Sequence, residues 1–187
     1  MRGLAERSWF AEDEPPPELF RADGELPDLD YRLLGIADGG GFMAASLVGG
    51  AARLAGSRGA PGARGALADL AEAFATELRA LRERCRRLPV AGTVLTDPAA
   101  VVLGDRYTAV VGAAAVLGVW EHQDGTDPFL AAPAWAVLAL SPLAERAGVP
   151  APDPPEGIRE EMQVLDEPLR RHRAGPGYDL DAVAHTP

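Results

Sequence analysis

The sequence contains no lysine and no asparagine, one cysteine, three histidines and few aromatic side chains, 6% of 187 residues. Without lysine there is neither Schiff-base chemistry nor a phosphate-loop ammonium. The lone Cys85 excludes an intramolecular disulfide and any cysteine-rich zinc site, and it suits a reducing, cytoplasmic setting. All side-chain cations except histidine are arginine, and 18 of them stand against 28 Asp and Glu for a formal net charge of −10. That sign disfavours nucleic-acid partners, whose affinity rests on cations releasing counterions from phosphates, and it disfavours an anionic membrane surface equally. The opening MRGLAERSWF has scattered charges, and no run reaches about 18 uninterrupted apolar residues, so neither a signal peptide nor a membrane span is expected. Serine is scarce, and none of Ser8, Ser46, Ser57 and Ser141 sits in a nucleophile elbow. What remains is an ordinary globular mix, 47% hydrophobic and 25% charged, able to bury one good core.

The chain divides into an arm, 1–30, a single helical domain, 31–175, and a tail, 176–187. The arm carries EDEPPPE, an acidic, proline-dense stretch that cannot bury enough apolar surface to offset its chain entropy. Its apolar residues Trp9, Phe10, Leu19, Phe20 and Leu26 lie between polar runs, a pattern suited to an extended segment pinned onto a body at a few points.

Within the domain, apolar residues at helical spacing predict a helix from about Gly41 to Leu54. Asp38 and the glycines after it form a turn with an acidic N-cap; no strand precedes them and no lysine follows, so a phosphate cradle is not supported. GSRGAPGARG, 56–65, is a connector. The next helix carries Leu67, Leu70, Ala71, Phe74, Leu78, Leu81, Cys85 and Leu88 as one apolar stripe. Its other face carries Glu72, Glu77, Arg79, Arg82, Glu83 and Arg86, with Arg79 and Glu83 placed to pair at i, i+4. Cys85 falls on the stripe and reads as core.

Thr96-Asp97-Pro98 is a helix start signal. The following AAVVLGDRYTAVVGAAAVLGVWEHQ is apolar nearly all round and is expected to be the buried central helix, its Gly104, Gly112 and Gly118 leaving room for close neighbours. Asp127-Pro128 repeats the signal for a helix ended by Gly148, with Pro142 expected to kink or split it. A last helix, GIREEMQVLDEPLRRHRAG, is expected to be interrupted near Pro168. VAGTVL near Val90 has the character of a short extended piece, but no run of alternating β-branched residues appears. The expected fold is all-α, about five helices.

One polar triplet, Asp105-Arg106-Tyr107, lies inside the apolar third helix, where charge is costly unless paired. Successive helix positions point about 100° apart, so Asp105 and Arg106 are placed to reach different helices. Two readings stay open. The triplet is a structural staple of ion pair and hydroxyl, or it is the polar focus of a pocket, with Arg106 holding a carboxylate or enolate and Tyr107 or Asp105 as acid and base. Trp120 and Trp135 are the aromatic candidates to line such a pocket. Glu121, His122, Asp124 and Asp127 match no helix-borne zinc signature, so no metal is expected.

The stretches LGDRYTAVVGAAAVLGVWEH, DPFLAAPAWAVLAL and LRRHRAGPGYDLD, with the lead-in ELPDLDYRLLGIADGG, resemble the C-terminal helical region of actinobacterial acyl-CoA dehydrogenase homologues. The resemblance runs from roughly Phe20 to Asp181. It implies a helical bundle that stands apart from the family's flavin-binding catalytic body, for which 187 residues leave no room. No position matches the family's catalytic or flavin-binding motifs, so the expectation is cofactor-free. Two functions follow. One is a non-catalytic helical partner that forms a homo-oligomer or docks on an acyl-CoA dehydrogenase-like or polyketide-type enzyme, with Trp9, Phe10 and Phe20 as anchors. The other is a small enzyme, a cyclase or isomerase, or a binding protein holding a hydrophobic small molecule among the helices.

Overall fold

The computed structural model describes residues 17–21, 42–87, 98–123, 125, 127–150 and 158–174. Six α-helices follow in order: α1 (Phe42–Leu54), α2 (Ala63–Arg86), α3 (Pro98–Glu121), α4 (Pro128–Ala131), α5 (Pro133–Ala147) and α6 (Ile158–Ala174). Short 3-10 turns cover Pro17–Phe20 and Ala55–Ser57. Among the described residues 86% are helical and none is in a strand, as the periodicity predicts. Trp9, Phe10, Leu26, the glycine turn after Asp38, VAGTVL and the tail lie outside the described residues.

The core follows from the stripes. On α1 it is Ala44, Leu47, Ala51 and Leu54, and on α2 the run from Leu67 through Leu70, Phe74, Leu78 and Leu81 to Cys85, all buried. These spacings of three and four place one face of each helix inward. Helices α1 and α5 each pack against both α2 and α3, and α6 packs on α5.

The most deeply set helix is α2 rather than α3. Thirteen of its 24 residues are buried, against eight of 24 in α3, and Val101 and Val102 of α3 are more than half exposed. The all-round apolarity of α3 overstates its burial because its small residues add hydrophobicity without filling space. By length and composition α3 is also apolar enough to cross a membrane; a core helix meets the same measure, and here it is packed on by α1, α2 and α5. Of its glycines, Gly112 lies against Leu143 and Gly118 against Phe20, whereas a Cβ on Gly104 would meet no atom of the described residues within 4 Å.

The helix expected from Pro128 breaks at Ala132, which is extended (φ −74°, ψ 137°). Pro133 is the cause, since a residue before proline is driven out of the α region. Pro142 and Pro168 split nothing: α5 and α6 run through both, each helix losing one backbone bond while its neighbouring turns hold. Helix α5 stops at Gly148, left-handed at φ 64°, with the Val149 N–H donating to the Ala144 carbonyl at 2.9 Å, a Schellman closure.

Candidate functional site

Glu77 belongs to the stripe of α2, three residues after Phe74 and four before Leu81, and it is buried with them at 8% exposure. The expectation of a solvated Glu77 is thus corrected. A buried carboxylate needs donors, and Oε1 accepts from Arg84 Nη1 two turns along α2 and from Arg106 Nη1 of α3, each at 3.0 Å. The Arg106 guanidinium also crosses the end of α5, where a Cβ on Gly148 would lie 2.6 Å from Nη2. Three helices therefore meet at one arginine.

Asp105 points elsewhere. It accepts from Arg146 of α5, with Nε at 3.0 Å, and that hydrogen bond holds its carboxyl below the ordinary range. Tyr107 packs half-buried on the core; burial, reinforced by the neighbouring Cys85, pushes its phenol up to about 12. Cys85 is itself buried, which raises its thiol. The triplet thus gives two ion pairs to two different helices and one phenol held protonated through neutral pH. On the remainder of α2, Arg79 reaches back seven residues to Glu72 at 3.5 Å and Glu83 pairs with Arg86 at 2.7 Å, so the expected Arg79–Glu83 pair is replaced by these.

The phenol is directly testable. In an alkaline titration followed by tyrosinate absorbance, Tyr107 should ionise near pH 12, after an ordinary tyrosine at about 10. A folded state that raises an acid's pKa favours the protonated form, so this contribution is complete below the unfolded value and is lost as pH rises through the folded one. Tyr107→Phe should remove the late step, and a step near 10 that disappears instead would contradict the assignment.

Trp120 and Trp135 are anchored to the same short segment. Trp120 Nε1 donates to the Ala131 carbonyl at 3.2 Å and Trp135 Nε1 to the Leu130 carbonyl at 3.0 Å, so both hold α4 against the bundle. Trp120 also lines an open cavity of about 280 Å³ with Arg53, Arg64, Glu121 and Gln123; Trp135 is not part of that wall. Arg53 pairs with Glu121, with Nη2 at 2.8 Å from Oε2, and the Arg64 guanidinium lies over the Trp120 ring at 5.8 Å.

The acidic and histidine residues between α3 and α4 disperse. Glu121 serves Arg53, while the His122 ring stacks on Phe20 with centroids 5.3 Å apart and places Nδ1 2.9 Å from the Gly118 carbonyl. Asp124 lies outside the described residues. Asp127 caps α4, accepting from the Phe129 N–H at 2.8 Å and the Leu130 N–H at 3.3 Å. Its other oxygen takes Arg171 of α6 at 2.6 Å. Among the described residues no group of His, Cys, Asp and Glu is placed to hold a metal ion.

Arg171 was not among the sequence-derived candidates, yet it fixes α6. Its side chain is 16% exposed, lies over the Phe129 ring at 5.7 Å and donates to Glu167 at 2.7 Å. Hydrogen bonds from Arg170 and Arg171 draw Glu167 down to about 2. Asp127→Ala should remove both the cap and the Arg171 contact and lower stability by about 1–2 kcal/mol, measured by denaturant unfolding. Asp127→Asn, which still caps, should lose less.

No family model matches the chain, and neither does any curated protein or solved structure. The class that fold and geometry define is an all-α bundle stapled by arginine.

Proposed function

We propose that the protein is a non-catalytic helical module that works by contact with another protein chain. The observation that carries this reading is the use made of Asp105, Arg106 and Tyr107. Asp105 and Arg106 are engaged in helix-to-helix ion pairs, and Tyr107 ionises near 12, far from the pKa near operating pH that acid–base catalysis favours. Residues employed this way fix the geometry of a bundle whose outer faces carry exposed Val48, Val101, Val102, Leu165 and Leu169. The choice of an acyl-CoA dehydrogenase-like enzyme as the partner rests on the sequence resemblance alone.

The alternative, a pocket for a hydrophobic metabolite, draws its support from the cavity beside Trp120. Arg53, Arg64 and Glu121 in its wall suit a polar occupant better, since apolar ligands are held in mostly apolar pockets.

Native mass spectrometry of protein purified gently from its own host separates the two readings. A retained protein chain, of the same or another kind, without small molecule is the expected result. A monomer carrying a small organic mass would overturn it and return attention to Trp120 and its neighbours.

A further inference from the structure

Helices α1 to α4 all contribute to the cavity beside Trp120, whose wall carries two guanidinium groups and one carboxylate. The carboxylate, Glu121, is committed to Arg53, which reaches it through both Nε and Nη2. Arg64 has a different setting. Its guanidinium carbon lies 5.8 Å from the centre of the Trp120 ring, its Nε donates to Ser57 Oγ at 3.4 Å, and among the described residues no carboxylate pairs with it. The wall therefore holds one positive charge that is not neutralised, in a chain of formal net charge −10.

Gln123 adds an acceptor to the same wall. Its Nε2 donates to the carbonyls of Val119 and Phe20, the latter at 3.1 Å. Both partners only accept, so the amide nitrogen must face them and Oε1 is left to the other side. Among the described residues no donor reaches that oxygen. The apolar part of the wall is Leu54, Ala131 and the Trp120 ring, and the ring is tied through Nε1 to the Ala131 carbonyl.

We propose that this cavity binds a small carboxylic acid that also carries a hydroxyl or N–H donor. The carboxylate pairs with the terminal amino groups of Arg64, whose planar fork suits two parallel hydrogen bonds. The donor meets Gln123 Oε1, and the carbon skeleton rests on Leu54 and the Trp120 ring. One unneutralised guanidinium matches one negative charge, whereas a cation would find the Trp120 ring already engaged by Arg64. A volume of about 280 Å³ lies just below the range of drug-sized pockets, about 300–1,000 Å³, so the acid is small.

The test follows the indole N–H signals of the full-length, 15N-labelled protein by NMR. Glycolate, 3-hydroxybutyrate and 4-hydroxybenzoate are added in turn, and the Trp120 signal is the one that Trp120→Phe removes. At least one of these acids should shift that signal saturably, at concentrations where its methyl ester and sodium chloride leave it in place. Arg64→Gln should weaken binding of that acid by about tenfold or more, the scale of one lost charged hydrogen bond. Arg64→Lys, which keeps the charge without the fork, should fall between the two. Chemical unfolding should be nearly unchanged in both variants, because Arg64 is exposed. A Trp120 signal that none of the acids moves would overturn the inference. So would an equal response to the ester or to chloride, or an Arg64→Gln protein that binds as tightly as the parent. The site goes beyond the contact function proposed above and does not rest on it: acid binding without a retained partner chain ends that reading and keeps the site, and a retained partner without acid binding does the reverse.

Discussion

Glu77→Ala is expected to be among the most destabilising single substitutions in this chain, lowering unfolding free energy by about 3–5 kcal/mol, the usual cost of breaking a buried ion pair from one side. The carboxylate is buried and joins Arg84 and Arg106. Its removal leaves the Arg106 guanidinium, 27% exposed, between α2, α3 and the end of α5 without its counter-charge. For a chain of this size each 1 kcal/mol lowers Tm by about 2–4 °C, so the melting curve should move by many degrees. Arg106→Ala should cost less than the sum predicts when combined with Glu77→Ala, because the double variant no longer strands a charge. Asp105→Ala provides the contrast. Its pair with Arg146 is about half exposed, and solvent and salt screen such pairs so that their loss costs little. A Glu77→Ala protein as stable as Asp105→Ala would refute the burial argument.

Phe20→Ala should cost about 3–5 kcal/mol, the range for removing a buried phenylalanine ring. Phe20 is 4% exposed, stacks on His122 and receives a hydrogen bond on its carbonyl from Gln123 at 3.1 Å. The ring fits because position 118 has no side chain: a Cβ there would stand 2.3 Å from the ring. Gly118→Ala should therefore expel Phe20 or distort α3, costing about 1–3 kcal/mol by overpacking. In Phe20→Ala the same alanine at 118 should be nearly harmless, and this rescue distinguishes a steric conflict from a loss of helix quality. Chemical denaturation of the two single variants and the double one reads all three quantities.

The helices were legible because their stripes are long and regular. The run from Leu67 to Cys85 admits one face only, and Asp127-Pro128 marks a helix start whatever follows. That Asp105 and Arg106 would reach different helices followed from the 100° step between them. The partners did not follow, since Arg146 lies 41 residues away and Glu77 lies 29. Glu77 carried one signal, its place at i+3 from Phe74 on the stripe, which its charge obscured. Arg171 carried none, because its neighbours Asp127 and Phe129 reach it through tertiary packing. The break at Ala132 is local chemistry that the sequence does carry, a residue before proline. The direction in which α6 faces depends on what already covers α5, which no property of α6 records.

Every ion pair described between helices has arginine as its cation, in a chain that contains no lysine. Guanidinium groups stay protonated at any workable pH, so alkali cannot discharge these staples, and only acid, acting on their carboxylates, can. Reagents that modify lysine amines, including most common crosslinkers and surface labels, will pass over every one of them. Dicarbonyl compounds that condense with guanidinium will reach them in order of exposure: Arg146 and Arg53 first, Arg106 later and Arg171 last.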